Sequence, residues 1–145
     1  MALSWRYAGG VPHPLVFDDD DPGLAELRAI ALAFPGAREK VSHGRPAFFV
    51  TKMFAMYGGS SKETGDMVSV PHCVMVKVDD SDRAALQRDE RFFYPAYVGV
   101  AGWLGLDFTV AAVDWDEVRE LVDASFRLVA PARMISALDE RPIIE

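Results

Sequence analysis

Arg45, Lys52, Lys62, Lys77, Tyr97, Trp103 and Arg127 are the side chains of this 145-residue sequence whose types suit recognition chemistry. Lysines and arginines flanked by aromatic faces can hold phosphates and stack on bases. The stretch SHGRPAFFVTKMFAMYGG, residues 42–59, concentrates the pattern: an arginine and a proline, two aromatic runs, a lysine between them, then paired glycines. The same types also suit a plainer arrangement, with aromatics in a core and cations resting their apolar stems on its surface. Which arrangement holds depends on the elements that carry them.

Other chemistries find little support. GxxxxGK[ST], GxGxxG, GxSxG and HExxH are all absent, so the sequence offers no phosphate cradle, dinucleotide turn, hydrolase elbow or zincin helix. His13, His43 and His72 fall on separate segments, whereas a zinc site needs three or four converging ligands. His72 and Cys73 are neighbours that point to opposite faces of a strand. His72 reads as a hydrogen-bonded core or edge residue and Cys73 as an inert thiol. The run Asp18 to Asp21 has the charge of a cation site but no defined geometry; with Pro22 behind it, it reads as a helix start, Asp21 serving as N-cap. No cofactor, metal or catalytic residue is expected.

Half of the residues are hydrophobic, enough for one domain with its own core. A single cysteine excludes an internal disulfide, and no uninterrupted apolar stretch opens the chain, which reads as cytoplasmic. Nothing approaches the roughly 20 apolar residues that cross a bilayer. The net charge of −7 opposes nucleic acid, because phosphate contacts need clustered cations. The charge is uneven, however. Residues 38–78 carry six basic and three acidic side chains, whereas both flanking segments are acidic. The basic third is the one that contains the stretch quoted above, and such asymmetry can direct an anionic partner to one face.

The elements follow from periodicity. Residues 1–21 read as an extended arm that Trp5, Tyr7 and Phe17 could pin to the body, ahead of one domain over 22–145. Leu24, Leu27, Ile30, Ala31 and Phe34 predict a helix over 22–34, stopped by Pro35 and Gly36. Short aromatic and β-branched segments predict strands over 38–42, 47–51 and 53–57, with a polar turn over 58–66. Alternating valines predict a strand over 68–78, with a break or bulge at Pro71. A short helix follows over 81–89, then a strand over 103–110. Asp114 and Glu117 stand in capping-box spacing before a helix with Trp115, Val118, Val122 and Val129 on its apolar stripe, and Asp123 and Arg127 form an i,i+4 pair. Pro131 breaks or kinks that helix, and one more helical piece is expected from Ala132. Met53, Met56, Met67 and Met75 read as packing. The fold class is α+β: an N-terminal helix, an antiparallel sheet of about five strands, a short helix, and a C-terminal helix packed on the sheet.

Several pieces, in order, resemble the MmcQ/YjbR family of small bacterial proteins. They are LRAIALAFPGAREKVSHGRPAFFVTKMFA, VMVKV, FFYPAYVGVAGWLGLDF and DWDEVRELVDASFRLVAP, and the resemblance runs from about residue 24 to residue 131. It implies a frataxin-like α+β fold with a double-wing architecture and a DNA-binding role. Gly44, Arg45 and Pro46 match the approach to the second strand, Lys52, Phe54 and Ala55 the following strand, and Lys77 the end of the VxVK strand. Pro95 and Tyr97 match the aromatic turn, Trp103 and Leu106 the last strand, and Ser125 and Arg127 the S-[FY]-R-L piece. The expectation is a non-enzymatic DNA-binding protein making weak, sequence-independent contacts through Arg45, Lys52, Lys77, Tyr97, Trp103 and Arg127. The alternative is a domain that binds a small anionic ligand or a protein partner in a groove between the sheet and the C-terminal helix.

Overall fold

The computed structural model describes residues 5–8, 11–62 and 65–141. Its centre is a six-stranded antiparallel sheet in the order β3-β4-β5-β6-β8-β7. These strands are β3 (Arg38–Ser42), β4 (Arg45–Val50), β5 (Lys52–Ser61), β6 (Val68–Lys77), β7 (Phe92–Phe93) and β8 (Trp103–Asp107). The arm forms a separate two-stranded ribbon, β1 (Trp5–Ala8) on β2 (Val11–Pro14), tied to the sheet where the Val16 N–H donates to the Gly44 carbonyl. Phe17 packs against the main core; the side chains of Trp5 and Tyr7 lie outside the described ones. The helices are α1 (Leu24–Ala31), α2 (Asp80–Gln87), α3 (Trp115–Val129) and α4 (Ala132–Asp139). The α+β class and the helix, sheet, helix order match the sequence reading, with one strand more than the five expected.

The main core lies on one face of the sheet. Phe48, Phe54, Tyr57, Val74, Val76 and Leu104 point from the strands toward Leu24, Leu27, Val118, Val122 and Phe126 of α1 and α3. Phe34, Phe54 and Phe126 meet edge to face or tilted, with centroids 5.0 to 5.8 Å apart. A serine fixes the seating of α3. Ala55 pairs with Val76, so the next rung of the β5–β6 ladder would join Phe54 to Lys77. The Ser125 hydroxyl stands in that rung, donating to the Phe54 carbonyl (2.7 Å) and accepting from the Lys77 N–H (3.0 Å). A helix side chain thereby completes the hydrogen bonding of two strands.

Two boundaries differ from the sequence reading for identifiable reasons. Helix α1 starts at Leu24 behind Gly23, not at Pro22 behind Asp21. The Asp21 carboxylate accepts instead from the Asp18 N–H (2.9 Å), closing a turn ahead of the helix. Gly23 takes φ +82 and lies against the Phe108 ring, a conformation and approach that only glycine allows at low cost. Strand β5 runs on through Gly58 and Gly59 to Ser61 because β6 pairs with it there, leaving a shorter turn of which residues 63–64 lie outside the described ones. Pro71 sits at the expected irregularity. Tyr57 pairs with Val74 but Gly59 with Val70, so β6 carries extra residues opposite Gly58.

Other expectations agree with the structure in detail. Asp114 caps α3, accepting from the N–H groups of Asp116 (3.0 Å) and Glu117 (3.3 Å). Glu117 does not close the box; its carboxylate joins Asp89 in clasping Arg91, which ties the entry of β7 to α3. His72 is half-buried, with Nδ1 2.9 Å from the Tyr57 hydroxyl. That hydroxyl donates to the Pro22 carbonyl at 2.6 Å, so its oxygen accepts from His72, which assigns the ring hydrogen to Nδ1.

Candidate functional site

Strand alternation sorts the charged residues between the two faces. On β3, Glu39 points to the helical side and binds Arg28 of α1 through both of its oxygens. Arg38, Lys40 and Ser42 have the opposite parity and pair in register with Phe49, Ala47 and Arg45. Ala47 belongs to a second apolar cluster with Met56, Cys73, Met75, Phe93 and Trp103, on the face away from α1 and α3. Lys77 pairs with Trp103 and shares this parity. Arg38, Lys40, Arg45 and Lys77 therefore stand on one sheet face. Lys40 lies 5.2 Å from the centroid of the Phe49 ring, and none of the four has a carboxylate partner among the described residues. Asp107, of the same parity, is engaged by the Thr109 N–H and hydroxyl.

The segment between β7 and β8 folds back across this face. The Ala96 N–H donates to the Ser60 carbonyl at 2.8 Å, Pro95 bridges to Ser61, and a short turn of 3-10 helix over Gly99–Ala101 follows. Between this segment and the β3–β4 turn lies a groove of about 540 Å³. Met53, Met56 and Met75 supply its apolar wall, Ala96, Tyr97 and Val98 one rim, and Ser42, His43 and Arg45 the other. Two rim residues, His43 at φ 52 and Tyr97 at φ 67, hold the left-handed conformation that side chains other than glycine adopt at a cost. Gly58, at φ +82 in the β6 irregularity, lies so close under Arg45 that a Cβ there would strike the guanidinium. Burial holds Arg45 below the ordinary arginine range, and burial pushes the adjacent Cys73 thiol far up, so no thiolate balances the cation.

The expected site residues divide accordingly. Arg45 and Lys77 share the open face, and Tyr97, 79% exposed, stands on the groove rim. Lys52 is exposed at the β4–β5 turn, next to Thr51 with φ 67. Trp103 is only 7% exposed within the second cluster, so its ring is packing and offers no platform for a base. Arg127 lies on α3 in the helical layer, bound to Asp123 (2.6 Å) and Asp139 (2.8 Å). Sequence reasoning missed Arg38, Lys40, His43 and the groove's use of Met53, Met56 and Met75. The parity of Arg38, Lys40 and Ser42 against Glu39 and Val41 was the available signal.

The helical side offers different chemistry. The groove between the sheet end, α2 and α3, about 310 Å³, is lined by Lys77 at the end of β6 together with Asp79, Asp82, Glu117 and Glu120, so carboxylates outnumber the one cation there. A second groove, about 510 Å³ between α1, α3 and α4, mixes Ile30, Phe34, Trp115 and Leu138 with charges of both signs. Among the described residues no group of three or more His, Cys, Asp or Glu side chains is placed to hold a metal ion. No helix among them is long and apolar enough to cross a membrane.

Fold and faces together define an α+β domain with one helix-covered and one open, cation-bearing sheet face. The YjbR family model matches residues 32–128, and the chain belongs to that family. Among solved structures it is similar to the Deinococcus radiodurans protein DR2400, which carries a DUF419 domain. The identity is 16%, the match covers 84% of this chain and 91% of that one, and the TM-score is 0.57, a likeness of fold. No curated protein sequence matches it significantly.

Proposed function

We propose that this chain is a non-enzymatic, cytoplasmic nucleic-acid-binding domain that contacts the phosphate backbone of DNA through its open sheet face, weakly and without regard to sequence. One observation carries the reading. Arg38, Lys40, Arg45 and Lys77 share that face without carboxylate partners among the described residues, whereas Arg28, Arg83, Arg91, Arg119 and Arg127 are all paired with carboxylates. Unpaired cations on a sheet can release counterions from a phosphate backbone; paired ones cannot do so without breaking their bridges. The unpaired cations of this face stand on strands and not along one helix, so contacts would go to phosphates and not to base edges.

The net charge of −7 sets the affinity. The long-range field repels DNA, so binding is micromolar or weaker at physiological salt and strengthens steeply as salt falls. Fluorescence anisotropy with labelled duplex and single-stranded oligonucleotides, at about 50 mM and about 200 mM salt, tests this. Replacing Arg38 and Lys40 together by glutamine weakens binding equally for all sequences and lowers the salt slope by about two contacts. Absence of binding by the unaltered protein at about 50 mM salt would overturn the proposal.

A further inference from the structure

We infer that the methionine-walled groove beside Arg45 binds a small amphiphilic monocarboxylate, its carboxylate on the Arg45 guanidinium and its apolar body against Met53, Met56 and Met75. The inference goes beyond nucleic-acid binding and shares only Arg45 with it. It starts from an imbalance. Arg45 is half-buried and lines the groove, its guanidinium lies over Gly58, next to the groove's Gly59, and no carboxylate among the described residues pairs with it. Burying a cation without a counter-charge costs free energy that a ligand anion would recover.

The surroundings limit what that anion can be. One guanidinium balances one negative charge, and its planar fork accepts a carboxylate in two parallel hydrogen bonds. A phosphate dianion would leave a charge uncompensated in an apolar wall. Three thioether side chains adapt to an irregular hydrocarbon surface better than branched residues do. Ser42 and Ser60 supply neutral polar groups at the margin. The volume of about 540 Å³ falls inside the roughly 300–1,000 Å³ typical of small-molecule sites.

His43, whose positive φ belongs to the two-residue His43–Gly44 turn between β3 and β4, and Tyr97, 79% exposed and also with positive φ, both line the groove. Backbone strain at an exposed aromatic residue finds no compensation in the core, whereas a ring held over a groove can cover a bound ligand. The segment that carries Tyr97 is anchored by the Ala96 to Ser60 hydrogen bond, so the ring is presented from a fixed base.

The test uses methionine methyl groups as reporters in the full chain, with octanoate as probe and octylamine, octan-1-ol and inorganic phosphate as comparisons. Octanoate moves the methyl NMR signals of Met53, Met56 and Met75 saturably and leaves those of Met67 and Met134, which lie outside the groove. Octylamine and phosphate produce no such saturable shift, and octan-1-ol binds more weakly than octanoate. Arg45→Met lowers octanoate affinity by roughly tenfold or more, the weight of a bidentate charge-assisted contact, and Arg45→Lys by less. Should Arg45→Met fail to fold, Tyr97→Ala at its exposed position serves, with affinity falling several-fold. The inference is overturned by no saturable shift at millimolar octanoate, equal binding of octylamine, or unchanged affinity in the foldable Arg45 and Tyr97 variants. The Arg38 and Lys40 double variant keeps octanoate binding, so loss of nucleic-acid affinity and loss of this site are read separately.

Discussion

Tyr57 does more for this fold than fill space. Its ring is 1% exposed in the main core while its hydroxyl links the Pro22 carbonyl, just ahead of α1, to His72 on β6. Burial pushes the phenol well above its ordinary range, so it remains a neutral donor at any pH the fold withstands. Tyr57→Phe keeps the ring but leaves the Pro22 carbonyl without its donor and His72 without its acceptor. The expected loss is about 1–3 kcal/mol, read from a lower urea midpoint at unchanged slope. At this scale the sequence was partly legible. His72 on an apolar alternation pointed to a hydrogen-bonded residue, and the buried Cys73 to an inert one. Arg127 and Trp103 show the limit: residue type marks a cation or a ring, but whether an aspartate from α4 claims the first, or a sheet face covers the second, depends on contacts distant in sequence.

Elements were legible where one periodicity ran long enough to dominate. The stripe of α3 and the alternation of β6 are of that kind, and the proline in β6 marked its irregularity. Strand β7 has only two residues and exists because β8 offers Leu106 and Gly105 as partners, so no local pattern announces it. The N-cap of α1 was misplaced because Asp21 has a nearer donor in Asp18. The open basic face was hidden by a different cause: parity is visible in REKVS, but which parity the helices cover is a property of the whole sheet. Ser125 was visible only as part of a motif, and its role belongs to this scale. Ser125→Ala leaves the Phe54 carbonyl and the Lys77 N–H facing each other across a gap too wide for a direct rung. A loss of about 1–3 kcal/mol is expected, with faster amide hydrogen exchange at Lys77 than at Val76.

For the whole molecule, charge is sorted between the faces of the sheet, and acid should expose the sorting. On the helical side carboxylates hold Arg28, Arg83, Arg91, Arg119 and Arg127; hydrogen bonds from Ser81, Arg91 and Arg127 keep Asp79, Asp89 and Asp139 below the usual carboxylate range. A carboxyl depressed in the folded state contributes stability above its unfolded pKa, about 3.9, and loses it as pH falls toward the folded value. The melting temperature is therefore expected to hold from neutral pH to about 5 and to fall below about 4, more steeply at low salt than at high. A melting temperature that rises on acidification below 4 would contradict this. The order of the sheet has a further consequence. One border, β3, presents Arg38, Glu39 and Lys40 in succession, and the other, β7, is two residues long. A second chain adding itself to the first border would have to strip water from three charges, and at the other it would find only two residues to pair with. The sheet thus carries its own terminators at both ends, which protects a half-bare, strand-rich surface from growing into fibres.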